Sequence, residues 1–272
     1  MKIFIPLLAL LIPAAADTLR TASVTAAIND VQIYPGASAP RSATIGERFT
    51  APSAVQTGRK SRTELTFNDS TITRLGQNSV FNFRENGRNV ELKQGSVLLQ
   101  VPKNAGGATI RTATVTAAIT GTTVMFEYSP SGWIKLLTLE GTQKLTLNGS
   151  KTSVAVPAGK MIIMHADAKV IPLPVTIDIA KLVATSPLAG EGTFGPLPPA
   201  ARELIQQTIQ EQLVAKRQGD LLPTKWVISG PGTRYARAIV DASESVRPTP
   251  RVFQDFFSDN PNGQGTGQGP TP

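Results

Sequence analysis

Apolar and polar residues alternate at period two along most of this chain, and turn residues interrupt them roughly every 8–12 residues, a pattern typical of short strands. The richest stretch is 112–128, where Thr, Val and aromatic residues suit a pleated, half-buried strand. A turn at 129–132 and a second alternating run at 134–139 follow it, so the sequence predicts a central hairpin. Two apolar trios with period two are Val115, Ala117, Ile119 and Val124, Phe126, Tyr128.

The same pattern extends over residues 17–170, and no helical periodicity interrupts it. Asn86-Gly87 and Asn148-Gly149 are strong hairpin signals because both residues tolerate positive φ. We therefore predict an all-β domain over 17–170, an antiparallel β-sandwich or roll of many short strands.

The composition changes after residue 170. Residues 171–198 are rich in Pro and Gly and predict a linker, and 199–219 predict one C-terminal amphipathic helix that begins at two prolines and ends at a glycine. The helix would pack on the β-domain or on a second copy of itself, which would make a homo-oligomer. Residues 220–258 form an accessory segment, and the Gly/Pro/Gln-rich 259–272 predict a disordered tail. The apolar stripe of the helix comprises Leu204, Ile205, Ile209, Leu213 and Val214.

Residues 1–16 have the features of a cleaved signal peptide. Lys2 supplies the positive charge, residues 3–12 are apolar, and Ala14-Ala15-Ala16 offers a cleavage site. The apolar run is shorter than the roughly 20 residues needed to span a bilayer, and no later stretch is longer, so we expect a periplasmic or secreted chain that does not span the membrane. The chain has 0 cysteines, which excludes a lipidated cysteine after the signal, disulfides and thiolate chemistry.

The chain is basic, with a formal net charge of +8 from 27 Lys and Arg against 19 Asp and Glu. The basic residues are scattered, which favours a role in solubility over a specific polyanion site. Aromatic and basic residues do not interleave as in nucleic-acid-binding surfaces, so nucleic acid is not an expected partner.

Six short motifs occur in order between residues 57 and 161, and most are turns containing Gly or Asn-Ser. They include Asn68-Asp69-Ser70, Leu75-Gly76-Gln77-Asn78-Ser79, Leu92-Lys93-Gln94-Gly95-Ser96-Val97, Gly121-Thr122, Leu139-Glu140-Gly141 and Pro157-Ala158-Gly159. In this order they resemble the FecR domain family, named after a periplasmic regulator of ferric-citrate uptake. The resemblance implies an extracytoplasmic all-β domain. The structural motif residues it singles out are Asp69, Ser70, Asn78, Ser79, Gly95, Gly121, Thr122, Gly141 and Gly159.

The regulator that gives the family its name also has a cytoplasmic segment that controls a sigma factor, and a membrane helix. This sequence shows neither, so the resemblance implies the domain and not the transmembrane circuit.

No set of residues predicts catalysis, and no cofactor or metal is expected. His165 is the 1 histidine of the chain and lacks a cysteine partner for zinc or for a nucleophilic pair, so we expect it to end a strand. Asp69 is expected to fix its own turn. Glu91, Glu127 and Glu140 are expected to face water on the polar sides of strands.

These observations favour a non-catalytic sensing or scaffolding module that binds a protein or an envelope polymer. Trp133, just after a turn, is a candidate ligand contact because an exposed indole can stack on a sugar ring. The alternatives are a carbohydrate- or peptidoglycan-binding or -modifying envelope protein and a structural surface protein.

Overall fold

The structure, a computed structural model, describes residues 20–36, 38–84, 88–234 and 236–241. The predicted signal peptide (1–16), the Asn86-Gly87 hairpin signal and the predicted tail (259–272) lie outside these residues.

The described chain is dominated by β-strands. In chain order they are β1 (Thr21–Ile28), β2 (Val31–Pro35), β3 (Arg41–Ser42), β4 (Arg48–Thr50), β5 (Ser53–Thr57), β6 (Arg62–Phe67), β7 (Ile72–Leu75), β8 (Val80–Phe83), β9 (Asn89–Gln100), β10 (Ala108–Arg111), β11 (Val115–Ile119), β12 (Thr123–Tyr128), β13 (Trp133–Glu140), β14 (Thr142–Leu147), β15 (Ser153–Pro157), β16 (Lys160–His165), β17 (Val175–Ile177), β18 (Leu221–Ile228) and β19 (Ala236–Asp241). The helices are α1 (Ile179–Thr185), α2 (Glu191–Phe194) and α3 (Pro199–Gln218).

The strands form two open sheets that share β9. Sheet A has the order β4-β1-β6-β7-β9-β12-β13-β16-β17-β19-β18, and sheet B has the order β3-β2-β5-β8-β9-β10-β11-β14-β15. All pairings are antiparallel except β9 with β10. The predicted antiparallel β-sandwich or roll is therefore confirmed, and the predicted hairpin is β12–β13 in sheet A.

The main core lies between the two sheets. Period-two side chains from both sheets meet there, including the trios predicted from β11 and β12. Phe67 and Phe83 meet edge to face with ring centroids 5.2 Å apart, a favourable aromatic geometry. The domain therefore has the core of a two-layer sandwich.

A second core covers the outer face of β9, β12, β13 and β16 in sheet A, on the side away from sheet B. Its β-side consists of Leu98, Met125, Leu137, Leu139, Met161 and Ile163. Its cover consists of Ile177, Ile179, Leu182, Leu188, Leu197, Ile205, Ile228 and Ala238. Residues 175–241, which we call the cover segment, thus bury a sheet face that would otherwise be open to water.

The Pro/Gly-rich residues 171–198 are not the linker predicted from their composition. They contribute β17, α1 and α2, because apolar residues between the prolines and glycines pack into the second core. The accessory segment predicted at 220–258 begins with the β18–β19 hairpin, which joins sheet A through β17.

The predicted helix is α3, which runs from Pro199 to Gln218 and ends at Gly219 in the left-handed conformation. It packs on the β-domain, but its buried face is rotated from the predicted stripe. The fully buried positions are Ala201, Ile205, Thr208 and Gln212, whereas the exposed fraction of Val214 is 47%. The Gln212 side-chain amide donates to the carbonyl of Ile177 (2.8 Å) and accepts from the N–H of Ile179 (3.1 Å), which explains a buried glutamine.

Candidate functional site

Most of the motif residues lie where the chain crosses from one sheet to the other. Gly95 lies inside β9, at the point where this strand leaves sheet B and enters sheet A. Its φ is +94°, and a Cβ there would lie 2.4 Å from the Cα of Ser79. The buried Ser79 hydroxyl donates to the carbonyl of Gly76 (3.0 Å) and accepts from the N–H of Ser96 (2.9 Å). The two motif residues therefore form one sheet-crossing corner.

A second corner joins Gly121, Thr122 and Gly141. Gly121 precedes β12 and Gly141 follows β13, so the chain enters and leaves sheet A at neighbouring points. A Cβ at Gly141 would lie 2.4 Å from Cγ2 of Thr122, and one at Gly121 would lie 2.7 Å from the Cα of Lys103. These contacts require small residues for close backbone approach.

Gly159 lies in the turn between β15 and β16, where the chain crosses from sheet B to sheet A, and it also touches the cover segment. A Cβ there would lie 2.8 Å from the side-chain nitrogen of Gln212. The N–H of Ile177 donates to the Gly159 carbonyl at 2.9 Å. This corner is thus where the β-sandwich and the cover segment meet.

Asp69, Ser70 and Asn78 shape turns. The Asp69 carboxylate accepts from the N–H (2.9 Å) and hydroxyl (2.8 Å) of Thr71, and it pairs with Arg88. Ser70 and Asn78 have φ of 67° and 53°, so both adopt the left-handed conformation that tight turns need. The motif residues thus build the scaffold, and the structure does not gather them into one binding pocket.

A buried ion pair anchors the cover segment to sheet A. Lys135 on β13 contacts Glu127 on β12 at 2.9 Å, and the side chains are only 9% and 6% exposed. Lys135 also donates to the carbonyl of Ser229, and Glu127 accepts from the N–H of Gly232 (2.9 Å) and of Thr233. Burial alone would raise the pKa of Glu127, but Lys135 and Thr233 outweigh burial and lower it.

Arg74 provides a second polar anchor and is almost fully buried. Its Nε donates to Glu64 at 2.7 Å, and its two terminal nitrogens donate to the carbonyls of Leu188 (2.9 Å) and Gly195 (3.0 Å). The guanidinium carbon lies 5.2 Å from the ring centre of Phe194. Local pattern carries no signal for these anchoring roles, because the backbone groups that Lys135, Glu127 and Arg74 bind lie 94 to 121 positions away along the chain.

The expectation that Glu127 and Glu140 face water is wrong. As whole residues they are 4% and 3% exposed. Glu127 is buried by the cover segment, which it contacts at Gly232 and Thr233, and Glu140 accepts from the Thr123 hydroxyl at 2.9 Å. Burial raises the pKa of Glu140, against the Thr123 hydroxyl and Lys103, which lower it. Glu91 stays partly exposed and accepts from Asn82 (3.1 Å) and Arg84 (3.3 Å). These carboxylates lie in separate local networks rather than facing each other across a cleft.

Trp133, the candidate ligand contact, stacks on His165. Their ring centres are 3.8 Å apart, the two residues are cross-strand partners on β13 and β16, and His165 is the last residue of its strand. Trp133 is half-buried and packs against the second core. One side of the indole is therefore already occupied by protein, and ligand binding by Trp133 stays a prediction.

Among the described residues, the cover segment packs on sheet A and leaves the outer face of sheet B open. On β10, β11 and β14 its cross-strand neighbours are Arg111 with Thr116, Thr116 with Thr146, and Ala118 with Lys144. The two cations are exposed, and threonines and alanine lie between them. This arrangement is a polar surface with two exposed cations, Arg111 lying beside Glu91 on β9, and it suits a partner with acidic groups.

Neither a metal-binding cluster nor a membrane-spanning helix is found within the described ranges. No three His, Asp or Glu side chains lie together there as a metal-binding group. Among the described helices, none combines the length and the apolar content needed to cross a membrane.

Comparison with known protein families gives a match inside the β-domain. Residues 53–144 match the family described as FecR protein, so the FecR domain predicted from the motifs is confirmed over these residues. No curated protein matches this chain.

Among solved structures, two crystal structures of a "putative anti-sigma factor" from Parabacteroides distasonis ATCC 8503 are similar. They are 15% and 13% identical, with TM-scores of 0.41 and 0.40, and each match covers 45% of this chain. The chain spans 59% of the length of those structures.

Proposed function

We propose that this protein is a non-catalytic, extracytoplasmic sensing or scaffolding module that binds a protein partner through the outer face of sheet B. The observation that carries the proposal is the FecR match at 53–144, in a fold where the second core covers the outer face of β9, β12, β13 and β16, while the outer face of sheet B stays open among the described residues. In the part of the chain that the structure describes, this face offers a docking partner a broad uncovered sheet surface.

The chemistry of the open face supports a protein with acidic groups as the partner. Lys93, Arg111 and Lys144 are exposed there, and Glu91, which is already bonded to Asn82, is the nearby carboxylate. Complementary charge raises association rates and sets the orientation of the partner. The apolar content of the N-terminal 16 residues supports export of the chain.

The distribution of carboxylates supports a binding role over an enzymatic one. Glu127 is held by Lys135 and two backbone N–H groups, and Asp69 is held by its own turn and Arg88. A glycoside hydrolase typically needs a pair of carboxyl groups that flank the glycosidic bond to be cleaved. The groups here hold the fold together instead.

The test is affinity capture from the native envelope with a mild cross-linker, followed by mass spectrometry. The variant Arg111→Glu/Lys144→Glu reverses the charge of the open face, and Arg59→Glu/Arg217→Glu makes the same net change on exposed residues elsewhere. We expect the wild type and the control to recover the same dominant protein, and the face variant to lose it.

Equal recovery by both variants would refute the assignment of the face. Recovery of glycan fragments without a protein would instead support the polymer-binding alternative. N-terminal sequencing of the mature chain tests export, and an intact Met1 would contradict it.

A further inference from the structure

An apolar groove runs between α1 and the N-terminal half of α3, and nothing in the described chain fills it. The groove encloses about 520 Å³, within the range of pockets that bind ligands. Its floor consists of Val183, Ala189, Leu197, Ile205 and Ile209. We call it the α1–α3 groove.

Charged residues of both signs lie on the rim of the groove. Glu191, Arg202 and Glu203 are exposed there, and Nε of Arg202 donates to the carbonyl of Leu197 at 3.0 Å. An apolar floor with a charged rim is the arrangement that binds an amphipathic segment.

We propose that residues 251–258 of this chain dock in the α1–α3 groove. Their sequence, Arg-Val-Phe-Gln-Asp-Phe-Phe-Ser, places Phe253, Phe256 and Phe257 at positions i, i+3 and i+4. This spacing puts three aromatic side chains on one side of a helix, and Arg251 and Asp255 provide both charges for the mixed rim.

The groove is within reach of the segment. Asp241 at the end of β19 pairs with Leu221, which follows the C-cap of α3 by two residues. The groove borders the other half of α3, a helix of 20 residues and therefore about 30 Å long. The nine residues from 242 to 250, which precede the docking segment, span up to about 30 Å when extended, as long as α3 itself.

Tethering favours this occupant over a separate peptide. A short flexible linker gives a local concentration in the millimolar range, so weak apolar contacts are enough to keep the groove filled. The inference is independent of the proposed function, because it concerns α1 and α3 and not sheet B.

The test uses disulfide trapping in the full chain, which has no cysteine of its own. One variant carries Gln206→Cys, on the groove wall, with Ser258→Cys beside the aromatic cluster. The control carries Arg217→Cys with Ser258→Cys. Arg217 is exposed and near the C-terminal end of α3, so an undocked tether would reach it at least as easily.

We expect the disulfide to Cys at position 206 to form about tenfold faster than the one at 217, in line with a raised local concentration. Adding Phe253→Ala/Phe256→Ala/Phe257→Ala should abolish this preference while leaving the circular dichroism spectrum unchanged. Equal or faster trapping at position 217 would overturn the proposal. A preference that survives the triple alanine change would overturn it too, because the aromatic residues would then not be what docks.

Discussion

Replacing Lys135 with methionine removes one half of the ion pair that anchors the cover segment to sheet A. The methionine has a similar length and apolar character, so the packing of the second core is kept. Glu127 then stays buried, at 4% exposure, without its cation. Breaking a buried pair from one side costs about 3–5 kcal/mol, which is a large part of the 5–15 kcal/mol that usually stabilises a domain.

The double variant Glu127→Gln/Lys135→Met removes both charges. The glutamine oxygen can still accept from the N–H groups of Gly232 and Thr233, whereas the carbonyl of Ser229 loses its donor. We expect the double variant to be more stable than Lys135→Met alone by about 1–3 kcal/mol, because no unpaired charge is left buried.

Urea unfolding followed by circular dichroism measures these differences. The matched control is Arg84→Met, which breaks a pair in which Arg84 is 71% exposed, and it should cost at most about 1 kcal/mol. If Lys135→Met costs no more than the control, or if the double variant is less stable than Lys135→Met, the pair is not the anchor described here.

Three further predictions follow from the corners, the buried carboxyl group and the tail. Gly95→Ala should lower the free energy of unfolding by about 2–5 kcal/mol, because φ is positive there and the new Cβ clashes with Ser79. The control Gly149→Ala, with φ of +80° and nothing within 4 Å of the new Cβ, should cost only about 1 kcal/mol. Equal losses of stability in thermal unfolding would refute the clash. Glu140→Gln should raise the melting temperature at pH 7 and less so at pH 4. Because burial raises the pKa of Glu140, the protonated carboxyl group stabilises the fold at low pH, and this stabilisation is lost as pH rises above 4.5, whereas glutamine stays neutral. An identical shift at both pH values would contradict this. Deleting 260–272 should leave the melting temperature unchanged, and loss of soluble protein would show that the tail supports the fold.

The sandwich itself could be predicted from local pattern. Period two identified the inward residues of β11 and β12, and the hairpin β12–β13 followed from its turn. The family resemblance came from the same source, because most of its motifs are corners where close backbone approach or positive φ demands particular residues. Such demands are local, so a single sequence displays them.

The second core could not be predicted in this way. Glu127 and Lys135 alternate with apolar residues as solvent-facing residues would, and the distant loop at 229–233 that bonds both of them cannot be foreseen from this spacing. The linker prediction was wrong for the same reason. Prolines and glycines in this region indicate irregular backbone, but they do not reveal that Ile179, Leu182 and Leu188 pack on sheet A. On α3, Gln212 is buried because it bonds the backbone around Ile177, a partner that helical spacing does not reveal.

Site-specific photo-cross-linking in living cells that produce the protein tests the central claim, that this module binds its partner through the outer face of sheet B. A photoreactive side chain at Lys144 lies on the open face, and one at Glu211 lies on the exposed side of α3. We predict a discrete protein adduct from position 144 and none from position 211. An adduct from position 211 alone would place the partner on the cover segment and contradict the account.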